Sequence, residues 1–180
     1  MPLLHAYVIF NPTQSEIRAA QQVAIDKILQ IAVNDLKKPR DQLVIRHILP
    51  KTDLGFSNET WAETISSANA FNTIVDDKNF DNKKVMTIYG FANLAANPLT
   101  TEVKITSGAD VKALIHIEDM YLYPENPVCI LKQPLLFGGD ETFDILQYAT
   151  STGTDNLMYL GYIVEPVGRT ISSPKAVYTR

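Results

Sequence analysis

The residues most able to do chemistry are scattered along this chain. Ser151-Thr152-Gly153-Thr154 is a polar, Gly-centred turn of the kind that can present a catalytic group. Carboxylate chemistry at such a turn needs two acids sharing one proton. Ser151 stands where the first acid would have to be, and Asp155 follows four residues on. A phosphate cradle would need a lysine and a following helix, and an apolar strand-like run, Leu157 to Val164, comes next instead. The turn is therefore read as the bend between two strands, with Gly153 supplying the unusual backbone angle. His116-Ile117-Glu118 has spacing that would put two ligands on one strand face, but zinc normally takes three or four protein ligands. The other histidines, His5 and His47, are remote in sequence. Asp76-Asp77-Lys78-Asn79-Phe80-Asp81-Asn82 is rich in oxygen ligands, yet lacks the sixth-position Gly and twelfth-position Glu of a calcium loop in either register. Cys129 is the single cysteine and lies in the apolar run "PVCILK". It is expected to be a buried, unreactive thiol. These spacings define no catalytic residue, no metal site and no cofactor.

Tyr121 and Tyr123 are a different signal. Read as neighbours on a strand, they share a face. With Tyr159 or Tyr148 they would form an aromatic platform, serving as core, as subunit interface or as a sugar-stacking surface.

Positioning any of these groups requires elements, and the two halves of the chain differ. Residues 1–89 hold one glycine, Gly55, and residues 90–180 hold the other seven. Thr13-Gln14-Ser15-Glu16 has the S/T-x-x-E form of a helix-starting capping box. Ile17, Ala20, Ala24, Ile28 and Ile31 follow at helical steps, widened by Ile25, Leu29, Ala32 and Leu36. Lys37-Lys38-Pro39 closes the pattern. The expected helix spans about 13–37 and packs on its own domain or on a neighbouring subunit. Lys37, Lys38 and Arg40 are the densest basic cluster, read as a helix terminus complementing its dipole. Residues 42–49 read as a strand, and Trp61, Ile65 and Ala68 as one face of a short helix.

From Val85 onward the period changes to two. Thr101, Val103 and Ile105 alternate with polar residues, as do Val111, Ala113, Ile115 and Ile117. Pro134 separates two short strands, 128–131 and 135–137, and forces an edge or bulge between them. Roughly eight strands spaced about ten residues apart are expected for an antiparallel β-sandwich or jelly roll. The expected fold class is mainly β with an α-helical N-terminal part (α+β). The expected division is an α+β segment at 1–84 and a sandwich at 85–180, or one continuous domain.

Apolar residues make up 46% of the 180, charged residues 20%, and the formal net charge is −4. This composition supports a packed core without disulfides and weighs against nucleic acid, which is bound mainly through Lys and Arg. The stretch "MPLLHAYVIFNP" has no basic leading region and no A-x-A cleavage site, so no signal peptide is expected. No apolar run reaches the length of a membrane span.

The stretch "LTTEVKITSGADVKALIHIEDMYLYPENPVCILKQPLLFGGDETFDILQYATSTGTDNLMYLGYIVEP" resembles the single jelly-roll or sandwich subunits of virion proteins, of capsid or decoration type, from bacterial or archaeal viruses. The likeness lies in short strands, Thr/Ser/Gly turns and a last apolar strand ending in Glu165-Pro166. It implies a non-enzymatic homo-oligomer whose partners are copies of itself and other virion subunits, with the N-terminal segment available for subunit contacts. Two other readings stand beside it. One is a carbohydrate- or ligand-binding sandwich using Tyr121 and Tyr123. The other is a hydrolase in which His47, His116 and Asp155 converge.

Overall fold

The computed structural model describes residues 7–168. In it the capping box forms as the sequence predicts. The Thr13 N–H donates to Glu16 Oε2 at 2.7 Å, and the Glu16 N–H donates to Thr13 Oγ1 at 3.3 Å. Helix α1 then runs Gln14–Asp35. Thr13→Ala removes a cap of this kind and is expected to lower stability by about 1 kcal/mol in denaturant titration. The helix stops before Lys37, whose φ is +50°, and its last turn carries no basic residue. Lys37 and Lys38 therefore lie past the helix end, which corrects the expected 13–37 span.

The described residues also form ten strands: β1 (Val8–Phe10), β2 (Leu43–His47), β3 (Ala62–Ile65), β4 (Ala70–Asn79), β5 (Val85–Asn93), β6 (Thr100–Ser107), β7 (Asp110–His116), β8 (Val128–Phe137), β9 (Thr142–Ala149) and β10 (Gly153–Pro166). They form two antiparallel sheets. The larger has the order β1-β8-β5-β10-β2, with β3 added against the start of β10; the smaller has the order β4-β9-β6-β7. From β4 to β10 the chain changes sheet at every step except the β6–β7 hairpin. The pairs β2·β10, β4·β9, β5·β8 and β6·β7 are thus nested around that hairpin.

The sheets share one core. Met86, Ile88, Phe91, Tyr159 and Ile163 of the larger sheet meet Val103, Ile105, Ile115, Phe143 and Ile145 of the smaller. Ile48, Leu54, Phe56, Val75 and Phe80 belong to the same cluster. The division expected at residue 84 therefore runs through both sheets and through their core. The chain before it supplies β4 to the smaller sheet and β1, β2 and β3 to the larger.

The outer face of the larger sheet is covered by α1. Ala24, Ile28, Leu29 and Ala32 pack on Val85, Tyr89, Ile130, Tyr162 and Val164. The wide apolar stripe is thus used mainly on one side, and Val23 and Val33 remain exposed. The short helix expected at Trp61–Ala68 does not form. Ala62–Ile65 is strand β3, paired with Gly153–Asn156, and Trp61 stacks on Tyr159 instead. Pairing with an existing strand outweighs a helical spacing of only three residues.

β5 explains how both neighbours can be served. Its register shifts against β8 between Ile88 and Gly90, and β10 shifts opposite, between Leu160 and Gly161. One extra residue on β5, Tyr89, is left over. Ile88 and Phe91 can then both face the core while Tyr89 points to the helix, the effect expected of a bulge. Residues 131–134 of β8 fall out of register with β5 at the same place, so the two short strands expected on either side of Pro134 form one strand with an irregularity in it.

Candidate functional site

The two ends of the sandwich are closed by buried polar networks, and the sequence reading anticipated neither. At one end, Arg46 of β2 lies opposite Ile163 of β10 and so faces inward. Glu165, two residues after Ile163, shares that face. Arg46 Nε donates to Glu165 Oε1 at 3.1 Å, and Nη1 and Nη2 donate to Asp53 Oδ2 and Oδ1 at 2.6 and 2.8 Å. Lys84 Nζ adds contacts to Asp53 at 3.2 Å and Glu165 at 3.6 Å. Asp53 sits on a π-helical turn, Pro50–Leu54, and also accepts the Leu49 N–H at 2.7 Å. Both acids have fully buried side chains. Burial alone would raise the Asp53 carboxyl. The hydrogen bonds from Arg46 and the Leu49 N–H, with the charges of Arg46 and Lys84, outweigh it and hold the carboxyl below its ordinary value. Burial opposes the charge on Arg46, but its bonds to Asp53 and Glu165 raise its pKa further. Two cations and two anions balance, so the quartet is an internal clamp.

The opposite end is built on Asp155, ten residues and about 33 Å along β10. Its Oδ1 accepts from Asn93 Nδ2 at 2.9 Å and its Oδ2 from the Thr100 N–H at 2.9 Å. Thr100 Oγ1 donates to Gln147 Oε1 at 3.0 Å, and Gln147 Nε2 donates to Tyr159 OH at 2.8 Å. Tyr121 OH donates to the Thr100 carbonyl and accepts from Asn93 Nδ2 at 3.2 Å. Every member has a hydrogen-bond partner within the network, which offsets much of the cost of burying polar groups.

This network decides the fate of the tyrosine platform. Glu118–Leu122 is a 3-10 helix, so Tyr121 and Tyr123 do not share a strand face. Tyr159 is 1% exposed, stacked on Trp61 and edge-on to Phe56 and Phe91. Burial raises the phenol pKa of both Tyr121 and Tyr159. Tyr123 is exposed beside Leu122 at the surface. Tyr121 and Tyr159 therefore join one buried network through Thr100, and Tyr123 stands apart at the surface.

The other candidates separate as well. His47 lies opposite Tyr162, seven residues and about 23 Å along β10 from Asp155. His116 ends β7 of the other sheet, its Nδ1 3.3 Å from Glu102 Oε1. His47 and Asp155 are thus too far apart for acid–base reach. Glu118 begins the 3-10 helix rather than continuing the strand of His116. Among the described residues no group of three His, Cys, Asp or Glu is placed to hold a metal; His5 lies outside them. Asp76 to Asn79 belong to β4 rather than to a turn. Gly153 and Thr154 open β10 against β3, so the polar turn is shorter than its sequence suggests. Cys129 is fully buried, and burial pushes its thiol up to about 12.

The surface offers one more arrangement that sequence reasoning missed. The outer face of the smaller sheet carries two rows, fixed by the strand register. Phe71, Tyr148, Glu102 and His116 form one row; Thr73, Leu146, Lys104 and Leu114 form the next. Phe71 meets Tyr148 edge-on at 5.3 Å, and Lys104 Nζ lies 5.6 Å from the Phe71 ring centre. An exposed sheet face ordinarily alternates to polar side chains; this one keeps four large apolar ones. The signal was present in β9, where Leu146 and Tyr148 alternate with buried residues.

These features define a two-sheet antiparallel β protein with one covering helix, clamped at both ends from within. No protein-family model, curated protein or solved structure matches the chain. Among the described residues no helix is long and apolar enough to cross a membrane.

Proposed function

We propose that this protein is a non-enzymatic structural subunit of jelly-roll type that assembles with copies of itself, as virion capsid, decoration or minor structural proteins do. The strand order carries the reading. Four antiparallel pairs nested around the β6–β7 hairpin, divided between β8-β5-β10-β2 and β4-β9-β6-β7, follow the eight-strand plan of two Greek keys used by viral capsid domains. The buried titratable groups support it too. Arg46, Asp53, Lys84, Glu165 and Asp155 are spent on holding the sandwich together, which leaves the surface as the place of function. Lectins use the same plan. Tyr121 and Tyr159, which would have made a sugar platform, are taken up in a buried network and only Tyr123 remains at the surface, and this favours assembly over carbohydrate binding.

The role of the N-terminal segment narrows in this reading. Val8–Phe10 pairs with Cys129–Leu131 of the same chain, and α1 covers its own sheet. Subunit contacts then fall on other surfaces. Light scattering across a concentration series tests the proposal. Growth of the native mass into defined oligomers is expected. A strict monomer up to the highest soluble concentration would sink it.

A further inference from the structure

We infer that the outer face of β4-β9-β6-β7 is a twofold interface with a second copy of this chain, an inference that rests on the assembly reading above. The larger sheet has α1 on its outer face; the smaller sheet has no covering element among the described residues. Yet Phe71, Leu114, Leu146 and Tyr148 stand on it at outward positions. The occupant is identified by the charges among them. Glu102 and Lys104 are two residues apart on β6 and point the same way. The face therefore carries both signs side by side, which suits a copy of itself better than a uniformly charged partner.

The register also fixes the orientation. A twofold axis in the interface, running across the strands between the two rows, exchanges one row for the other. It sets Glu102 of each copy over Lys104 of its mate, and Tyr148 over Leu146. An axis along the strands between β9 and β6 keeps each row opposite itself. It would set Lys104 against Leu146 and Glu102 against Tyr148, so neither charge would meet an opposite one on the mate. The first arrangement is isologous and closed, as most symmetric dimers are. Four strands about 4.8 Å apart and about 23 Å long give a footprint of roughly 450 Å² per subunit. That is about 900 Å² in total, below the roughly 1,000 Å² of a stable specific interface, so the contact is a weak one and the dimer is expected to dissociate on dilution.

The experiment is a charge-reversal cycle read by sedimentation or light scattering, from micromolar to millimolar protein, with thermal melts to confirm folding. Wild type is expected to dimerise as concentration rises. Lys104→Glu and Glu102→Lys each place like charges opposite one another and should weaken dimerisation by about tenfold or more. Combining both reversals restores the pairs and should restore the dimer. If wild type associates and the single variants associate equally well, this face is not the interface, although the assembly reading survives. If the single variants weaken association and the double variant does not recover it, the twofold pairing is wrong. A wild type that stays monomeric throughout removes the assembly reading and this inference with it.

Discussion

Glu165→Ala is expected to destabilise the protein by about 3–5 kcal/mol, the usual effect of removing one partner from a buried ion pair. The carboxylate accepts from Arg46 Nε and Nη2 and lies near Lys84 Nζ. Without it, Arg46 and Lys84 face a single acid, Asp53, in a site that water scarcely reaches. The loss is a large share of a domain stability of about 5–15 kcal/mol. It should appear as a lower midpoint in guanidinium unfolding. Lys84→Met should cost less, because its side chain keeps 10% exposure against none for Glu165 and its contacts are longer. If Glu165→Ala costs no more than a typical surface substitution, the quartet does not clamp the sandwich.

The same cluster predicts acid sensitivity. The Asp53 carboxyl is held below its ordinary value of 3.8. A carboxylate depressed on folding contributes stability in full above its unfolded value and loses it as pH falls through its folded value. The wild-type unfolding midpoint should therefore decline below about pH 4. Asp53→Asn should be weaker at neutral pH and should lose part of that acid dependence.

Gly161→Ala is expected to cost about 3 kcal/mol, or to prevent folding, although it adds a single methyl group. Gly161 sits in β10 opposite the β5 bulge. A Cβ there would fall 2.0 Å from the Thr87 carbonyl oxygen and 2.6 Å from Ile48 Cδ1. The Ile48 side chain could turn away, but the Thr87 carbonyl belongs to the central strand of the larger sheet and could not. The double variant Gly161→Ala/Ile48→Ala therefore should not recover the loss, and it should add the effect of a core cavity. Thermal unfolding of the two variants tests this. Recovery in the double variant would mean that side-chain crowding, rather than the backbone, makes glycine necessary.

The amino-acid sequence determined the local elements that depend on near neighbours. The helix start at Thr13–Glu16, the two-residue alternation of β6, β7 and β9, and the irregularity in β8 beside Pro134 follow from local capping, periodicity and backbone restriction. Even there, bulges altered the faces. Val111 reads as a core residue, but the register shift between Ile105 and Thr106 pairs it with Thr106 and leaves it exposed. Tertiary structure alone decided what required distant partners. Arg46 and Glu165 stand 119 residues apart; each looks like a charge interrupting an apolar run, and neither names the other. Asp155, Tyr121 and Tyr159 read as turn or platform residues until Asn93, Thr100 and Gln147 are brought to them. The rows on the outer face of the smaller sheet exist only once β4, β9, β6 and β7 are in register. Side-chain alternation along a strand is a local property, whereas the order of strands in a sheet is set by which buried faces and hydrogen-bonding edges fit together across the whole chain.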